Sequence, residues 1–150
     1  MKENSNLIIN NPRKLEGTIS VPGDKSITHR AIMLGALSDG ELKISNGLLS
    51  EDCMRTLTAF KELGIDIHID NSIITIFGKG LNGLSKTKSQ IDAGNSGTMA
   101  RLLSGILSTQ NFNSSMSGDE SLVTRPMGRI IEPLESFGAL IQSQDQKLPM

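Results

Sequence analysis

Three short stretches of the chain gather residue types that bind anions. The first is Val21-Pro22-Gly23-Asp24-Lys25-Ser26-Ile27-Thr28-His29-Arg30. A strand is expected over Leu15–Val21, stopping at Pro22-Gly23, with a helix starting at once, so Lys25 falls at a helix amino terminus. Free backbone N–H groups and the helix dipole already favour negative charge there. Ser26 and Arg30, four residues apart, share a helix face. A lysine, a hydroxyl and an arginine on one rim suit a carboxylate or phosphate, held by charge-assisted hydrogen bonds. Alone, the block fits a capped helix with solvated charges equally well. Gly-Asp-Lys-Ser also resembles the end of a P-loop, but Asp24 interrupts Gly-Lys and Gly17 lies one residue too far away to open such a loop.

The second stretch is Asp92-Ala93-Gly94-Asn95-Ser96-Gly97-Thr98-Met99-Ala100-Arg101. Two glycines flank Asn95 and Ser96 just before an apolar helix, which lets backbone N–H groups approach an oxyanion with no Cβ in the way. The third is Ser117-Gly118-Asp119-Glu120-Ser121-Leu122-Val123-Thr124-Arg125-Pro126-Met127. Pro126 suits the first position of a helix, so Arg125 is expected at a third helix terminus. A surface arginine is the plainer reading of Arg125 taken by itself.

The elements that must position these stretches come in two copies. Met54–Ile67 lies over Gly128–Ile141 with arginines, glycines and most apolar positions matched, and Arg30–Ser38 runs parallel to Arg101–Ser108. Each copy reads as a helix, a short strand (Glu41–Ser45; Asn113–Ser117), a second helix, and a strand after a glycine stop. Helix Asp52–Leu63 has Ser50, Glu51 and Asp52 at its start and Gly64 at its end, and its apolar face is Cys53, Leu57, Phe60 and Leu63. The matching helix is expected from Pro126, burying Met127, Ile130, Ile131 and Leu134, with Pro133 removing one of its backbone hydrogen bonds. Ile65–Ile69 and Ile73–Phe77 flank Asp70-Asn71 as a hairpin. Met33, Met54, Met99 and Met127 are read as core. The alternation of strands and helices predicts a mixed α/β (α+β) fold, a mixed sheet covered by helices.

The gross numbers exclude several classes of function. At 150 residues, 37% hydrophobic and 21% charged, the chain is a globular protein with enough length for a core. Its net charge is −1 and it has neither Trp nor Tyr to stack on bases, so no nucleic-acid partner is expected. No run of roughly 20 apolar residues is present to span a membrane. Met1–Asn6 leads only into the short apolar patch Leu7–Ile9, no secretory signal is read there, and Cys53 is the single cysteine. A cytoplasmic location is expected. Cys53, His29 and His68 form no metal-ligand pattern, so neither metal nor cofactor is expected. His68 alternates with Asp66 and Asp70 and is read as surface; for His29 a helix-packing role is favoured over lining a site.

Taken together and in this order, Lys25-Ser26-x-x-His29-Arg30, Gly94-Asn95-Ser96-Gly97-Thr98-x-x-Arg101 and Arg125-Pro126-Met127 resemble the 5-enolpyruvylshikimate-3-phosphate (EPSP) synthase family, over nearly the whole chain. The resemblance implies repeated βαβαββ units of the enolpyruvyl transferase type, with helices packed inside against mixed sheets. It also implies a division of the chain: residues 1–20 would be a strand region belonging to a second domain. Residues of about 21–90 and 91–150 would be the first two units of the amino-terminal domain, with the third unit and the second domain absent. The implied reaction moves the enolpyruvyl group of phosphoenolpyruvate to the 5-hydroxyl of shikimate-3-phosphate and releases phosphate, on the route to chorismate and the aromatic amino acids. Lys25 would be the catalytic cation, contacting phosphoenolpyruvate near the reacting centre. Ser26 and Arg30 would hold shikimate-3-phosphate. Gly97 and Arg125 would bind the phosphoenolpyruvate phosphate, while Asn95 and Arg101 shape that turn and complete the substrate-binding set. Ser96 and Leu102 stand where many or some members carry alanine and proline, without loss of charge. Gly97 leaves room for glyphosate, so inhibition of the complete enzyme is expected.

The family is usually monomeric; a chain with two units would be inactive alone and open to self-association through uncovered helix faces. The related UDP-N-acetylglucosamine enolpyruvyl transferases pair lysine with asparagine in the first stretch and carry a cysteine before Arg-Pro. Here Ser26 follows Lys25 and residues 117–124 have no cysteine. A non-catalytic anion-binding module is the alternative of another class.

Overall fold

The computed structural model describes Ile8, Lys14 and residues 16–150. Most of the 1–20 region, including Leu15 and the patch Leu7–Ile9 apart from Ile8, lies outside the described residues. The strand expected over Leu15–Val21 is not seen: residues 16–21 run without regular secondary structure.

Helix α1 (Lys25–Leu37) opens on Asp24, whose carboxylate accepts the Ile27 N–H at 2.7 Å. That is the bond an N-cap supplies to a donor with no partner in the helix. Strand β1 (Asp39–Ser45) follows, then α2 (Glu51–Glu62), within a residue of its expected span. Glu51 and Asp52 sit in its first turn and Lys61 in its last, each complementing the dipole, although Ser50 makes no side-chain capping bond. Strands β2 (Asp66–Asp70) and β3 (Ile73–Lys79) form the expected hairpin around Asn71-Ser72. Both turn residues have positive φ, as a tight primed turn requires. Sheet order is β1-β3-β2, antiparallel throughout, with β3 in the middle.

The second copy is leaner. Strand β4 (Ile91–Asp92) pairs in parallel with β5 (Met116–Ser117), and α3 (Gly97–Leu107) connects them. A 3-10 turn (Leu122–Thr124) precedes α4 (Gly128–Ser136). One antiparallel and one parallel sheet with helices against them give the mixed α/β fold that the pattern predicted.

The core runs continuously through both copies. Ile32, Met33 and Ala36 of α1, Cys53, Leu57 and Phe60 of α2, and Ile74 and Ile76 of β3 meet Ile91, Met99, Leu103, Met116 and Met127. Burying each large aliphatic or aromatic side chain contributes about 1.5–3 kcal/mol. The expected α2 face, Cys53, Leu57, Phe60 and Leu63, is fully buried.

Four expectations need correction. Met54 is not core: it is 39% exposed, because the buried stripe of α2 passes through its neighbour Cys53 and turns Met54 outward. The strand expected over Asn113–Ser117 shrinks to Met116–Ser117. No strand follows the Gly138 stop; residues 139–150 carry none, although Met150 and Met116 exchange two backbone hydrogen bonds. Finally, α4 begins at Gly128, not Pro126. Arg125 precedes a proline and is held extended (φ −78°, ψ 137°), and the Pro126 carbonyl accepts from Arg101, so the first carbonyl bonded within the helix is that of Met127. Ile131 is buried as expected, whereas Ile130 and Leu134 are half-buried.

Helix α1 crosses β3 closely at Gly78. A Cβ there would lie 2.2 Å from the Ser38 carbonyl oxygen and 2.3 Å from that of Gly35, both backbone atoms that no rotamer change can move. Gly78→Ala is therefore expected to destabilise the fold by about 3 kcal/mol, read as a lower urea midpoint at unchanged slope.

Candidate functional site

The second and third stretches come together because β4 and β5 pair in parallel. Asp92 stands opposite Ser117, so the turn after Asp92 lies beside the turn after Ser117. The Asp119 N–H donates to the Gly94 carbonyl at 2.8 Å, closing the two turns on each other. Gly94 takes a left-handed φ of +54°, and its own N–H donates to Asp92 Oδ1 at 2.7 Å. Ser96 is buried and caps α3, its hydroxyl accepting the Met99 N–H at 3.2 Å.

Asn95 is the joint of this region. Its amide nitrogen donates to Asp119 Oδ2 at 2.7 Å, and its amide oxygen accepts from Arg125 Nη2 at 2.6 Å. Arg125 also donates to Ser121 Oγ at 3.2 Å. Arg101, one turn into α3, donates to the carbonyls of Gly97 and Pro126, each at 3.1 Å. Gly97 stands between the two guanidinium groups: a Cβ on it would lie 2.6 Å from Arg101 Nη1 and 3.3 Å from Arg125 Nη1. Two arginines thus converge on the first turn of α3, where Gly97 carries no side chain. Chemically that is an anion cradle.

The first stretch joins this rim less directly. Lys25 Nζ donates to Asp52 Oδ2 at 2.8 Å, linking the first turns of α1 and α2. One turn along α2, Arg55 pairs with Asp92, beside the Gly94 turn. Helix α2 therefore bridges the first stretch to the second. Ser26 is half-buried and Arg30 exposed on α1. No hydrogen bond or ion pair joins Lys25, Ser26 or Arg30 to Asn95, Gly97, Arg101 or Arg125 among the described residues.

Several of these roles were not evident from sequence. Asp52 was read only as a helix start and Asp119 only as part of a loop, yet each holds a site cation or its partner. The Asp119 carboxylate also accepts the Leu122 N–H at 2.7 Å, an i to i+3 contact that Asp-x-x-Leu beside a proline-bound turn hinted at. Arg55 was noticed only as a repeat position. Arg125 is not at the terminus of α4 but ends the 3-10 turn.

The charges are tuned by these contacts. The hydrogen bond to Asp52, and then its negative charge, raise the Lys25 pKa and keep the ammonium charged. The Asn95 hydrogen bond, then the Leu122 N–H, hold Asp119 below the usual carboxylate value, with Arg125 adding to the effect. Burial pushes the Cys53 thiol up, which leaves it unreactive. His68 is exposed, pairs with Asp66 at 3.0 Å and packs edge-on against Phe77, as a surface residue.

A carboxylate with a lowered folded pKa adds stability that is complete above its ordinary value and is lost as pH falls below it. Relative to Asp119→Ala, the wild-type chain is therefore expected to be more stable at neutral pH. That advantage should shrink as pH falls below 3.8, as paired thermal melts across pH would show.

Known proteins resemble this chain in sequence and in fold. Residues 9–150 match the family model described as EPSP synthase (3-phosphoshikimate 1-carboxyvinyltransferase). The 3-phosphoshikimate 1-carboxyvinyltransferase of Ruthia magnifica subsp. Calyptogena magnifica is 51% identical over 146 residues, which cover 97% of this chain and 34% of that protein. The protein of that name from Alkaliphilus metalliredigens is 51% identical over 139 residues, covering 93% and 33%. A solved structure of EPSP synthase from Acinetobacter baumannii superposes with a TM-score of 0.85 at 46% identity, over 89% of this chain and 31% of that one. The chain spans about a third of the length of these relatives, and along that third it belongs to the EPSP synthase family.

Proposed function

We propose that this chain contributes one half of the anion site for enolpyruvyl transfer from phosphoenolpyruvate to shikimate-3-phosphate. The observation that carries the reading is the Asp119–Asn95–Arg125 relay around the bare Gly97 terminus. It places two guanidinium groups beside a helix start where Gly97 carries no side chain, a setting suited to one small anion.

In this reading Gly97 and Arg125 take the phosphate of phosphoenolpyruvate, with Asn95 and Arg101 fixing the turn. Ser26 and Arg30 on α1 take shikimate-3-phosphate. Lys25, kept charged by Asp52, stands near the reacting centre. The 5-hydroxyl adds to the middle carbon of phosphoenolpyruvate and loses its proton, while the methylene carbon gains one. Phosphate then leaves the tetrahedral intermediate as its methyl group gives up a proton, which re-forms the carbon–carbon double bond of the enolpyruvyl group. Both substrates are multiply anionic, so converging cations offset their repulsion and stabilise the charge that develops.

The chain is read as two of the units described above, residues about 21–90 and 91–150, working in an enzyme some three times as long. Its 150 residues are then expected to bind without turning over. The absence of a membrane-length apolar helix among the described residues fits action on small dissolved substrates.

Calorimetric titration with shikimate-3-phosphate, with and without phosphoenolpyruvate, tests this. Weak binding is expected in the wild-type chain, with at least tenfold loss in Arg30→Ala, because a charge-assisted contact contributes about 1.5–3 kcal/mol. No phosphate release is expected. Absence of binding in a folded sample overturns the half-site, and turnover overturns the view that the remaining length is required.

A further inference from the structure

One turn inward from the Lys25–Asp52 pair lies a second contact of the same register. Lys25 and His29 are four apart on α1, and Asp52 and Thr56 are four apart on α2, so each pair stacks along one helix face. The outer contact joins Lys25 Nζ to Asp52 Oδ2 at 2.8 Å; the inner joins His29 Nδ1 to Thr56 Oγ1 at 2.7 Å; both span 27 residues. Between them the Cys53 Sγ sits 3.7 Å from the Lys25 carbonyl. The two helices are therefore joined by rungs of one ladder. The outer rung is charged and solvated, with side-chain exposures of 49% and 25%, whereas His29 and Thr56 are both fully buried.

The rungs differ in what they can hold. An exposed ion pair is screened by salt and constrains its helices weakly. A buried hydrogen bond is directional, and a slip would leave polar groups without partners. His29 Nε2 already has none among the described residues, so the ring depends on its single bond to Thr56. Thr56 Oγ1 also lies 3.4 Å from the Asp52 carbonyl of its own helix. The hydroxyl can thus donate to Asp52 while accepting the Nδ1–H of His29. That arrangement leaves a bare lone pair at Nε2 instead of the costlier orphaned N–H. Burial lowers the His29 pKa and keeps the ring neutral; the Asp52 charge opposes this and Lys25 adds to it.

We infer that His29 is a positioning residue for Lys25: its bond to Thr56 sets the register of α1 against α2, so that the Asp52 carboxylate meets the Lys25 ammonium at the rim. The functional meaning rests on the reading of Lys25 given above, but the contact is testable without substrate.

Competitive acylation with acetic anhydride, followed by mass spectrometry, reports how free the Lys25 amine is relative to the other lysines of the chain. Asp52→Asn, the direct control, raises Lys25 labelling. His29→Leu and Thr56→Val remove the inner rung while filling its space, and each is expected to raise labelling by about threefold, half a pKa unit. His29→Asn and Thr56→Ser, which keep a donor and a hydroxyl, are expected to label as wild type does. Wild-type labelling in folded His29→Leu and Thr56→Val, beside a raised Asp52→Asn, overturns the inference. Should those variants not fold, the imidazole nitrogen spectrum of the wild-type chain decides. A ring that stays neutral below 6.5 with Nδ1 protonated supports the ladder, and one that titrates at its ordinary value of 6.5 overturns it. Labelling that follows this pattern in a chain that binds no shikimate-3-phosphate would sink the proposed function and leave the ladder standing.

Discussion

Arg55, Arg101 and Arg125 surround the Gly94–Gly97 turn, and like charges held so close repel one another. The structure meets this constraint by tethering these three arginines and Lys25. Lys25 has Asp52, Arg55 has Asp92, and Arg125 reaches Asp119 through Asn95. Arg101 has no carboxylate; it is held by the carbonyls of Gly97 and Pro126. The difference matters, because a tether that cancels charge also competes with the ligand. Carbonyl tethers orient a guanidinium while leaving its full charge available, and Asn95 places a neutral group between Asp119 and Arg125. Arg101 and Arg125 are therefore less neutralised than Lys25 and Arg55, and both stand beside Gly97.

Very little regular structure achieves this placement. Two residue pairs, Ile91–Met116 and Asp92–Ser117, form the whole of the parallel sheet. Isolated strands of that length would not hold together in water. They persist because Ile91 and Met116 are fully buried in the common core with Met99, Leu103 and Met127. Core packing thus supplies the stability, and the short pairing supplies the alignment of the Gly94 and Gly118 turns. Gly118 is itself confined, since a Cβ there would lie 2.6 Å from the Gly94 carbonyl oxygen. The site is rigid where backbone meets backbone and adjustable only at the ends of its long side chains.

Legibility from sequence followed the range of the determining interaction. Helix α2, its buried face and the β2–β3 hairpin depend on neighbours within a few residues, and caps, periodicity and turn residues revealed them. The start of α4 depends on the Pro126 carbonyl being taken by Arg101, a contact from another helix, and the sequence pattern places it two residues early. Met54 was misread because helical spacing admits more than one stripe; which one is buried is decided by what packs against it. The site residues were legible as types near helix starts, and the resemblance to a family sharpened them. Their counter-charges were not. Asp52 and Asp119 look like ordinary capping and loop carboxylates, and only the crossing of α1 with α2, or of β4 with β5, shows whom they hold.

The two copies of the unit solve related problems with different chemistry. In the first, side chains on a helix face, Lys25, Ser26 and Arg30, project from a terminus capped by Asp24, so recognition must be made by reach and charge. In the second, the N–H groups of Gly94 and Gly97 are bonded within the turn, Gly97 leaves the helix start without a side chain, and the charge is supplied by arginines at the flanks. A bare terminus accepts a compact anion closely and discriminates by size, since even a methyl at Gly97 would press on Arg101. A helix face studded with a hydroxyl and an arginine suits a larger ligand with several groups to satisfy. On the proposed reading, the compact ligand is phosphoenolpyruvate and the larger one is shikimate-3-phosphate. Helix α2 lies between, holding Lys25 through Asp52 and the second turn through Arg55 and Asp92. A single helix thereby ties the first stretch to the second.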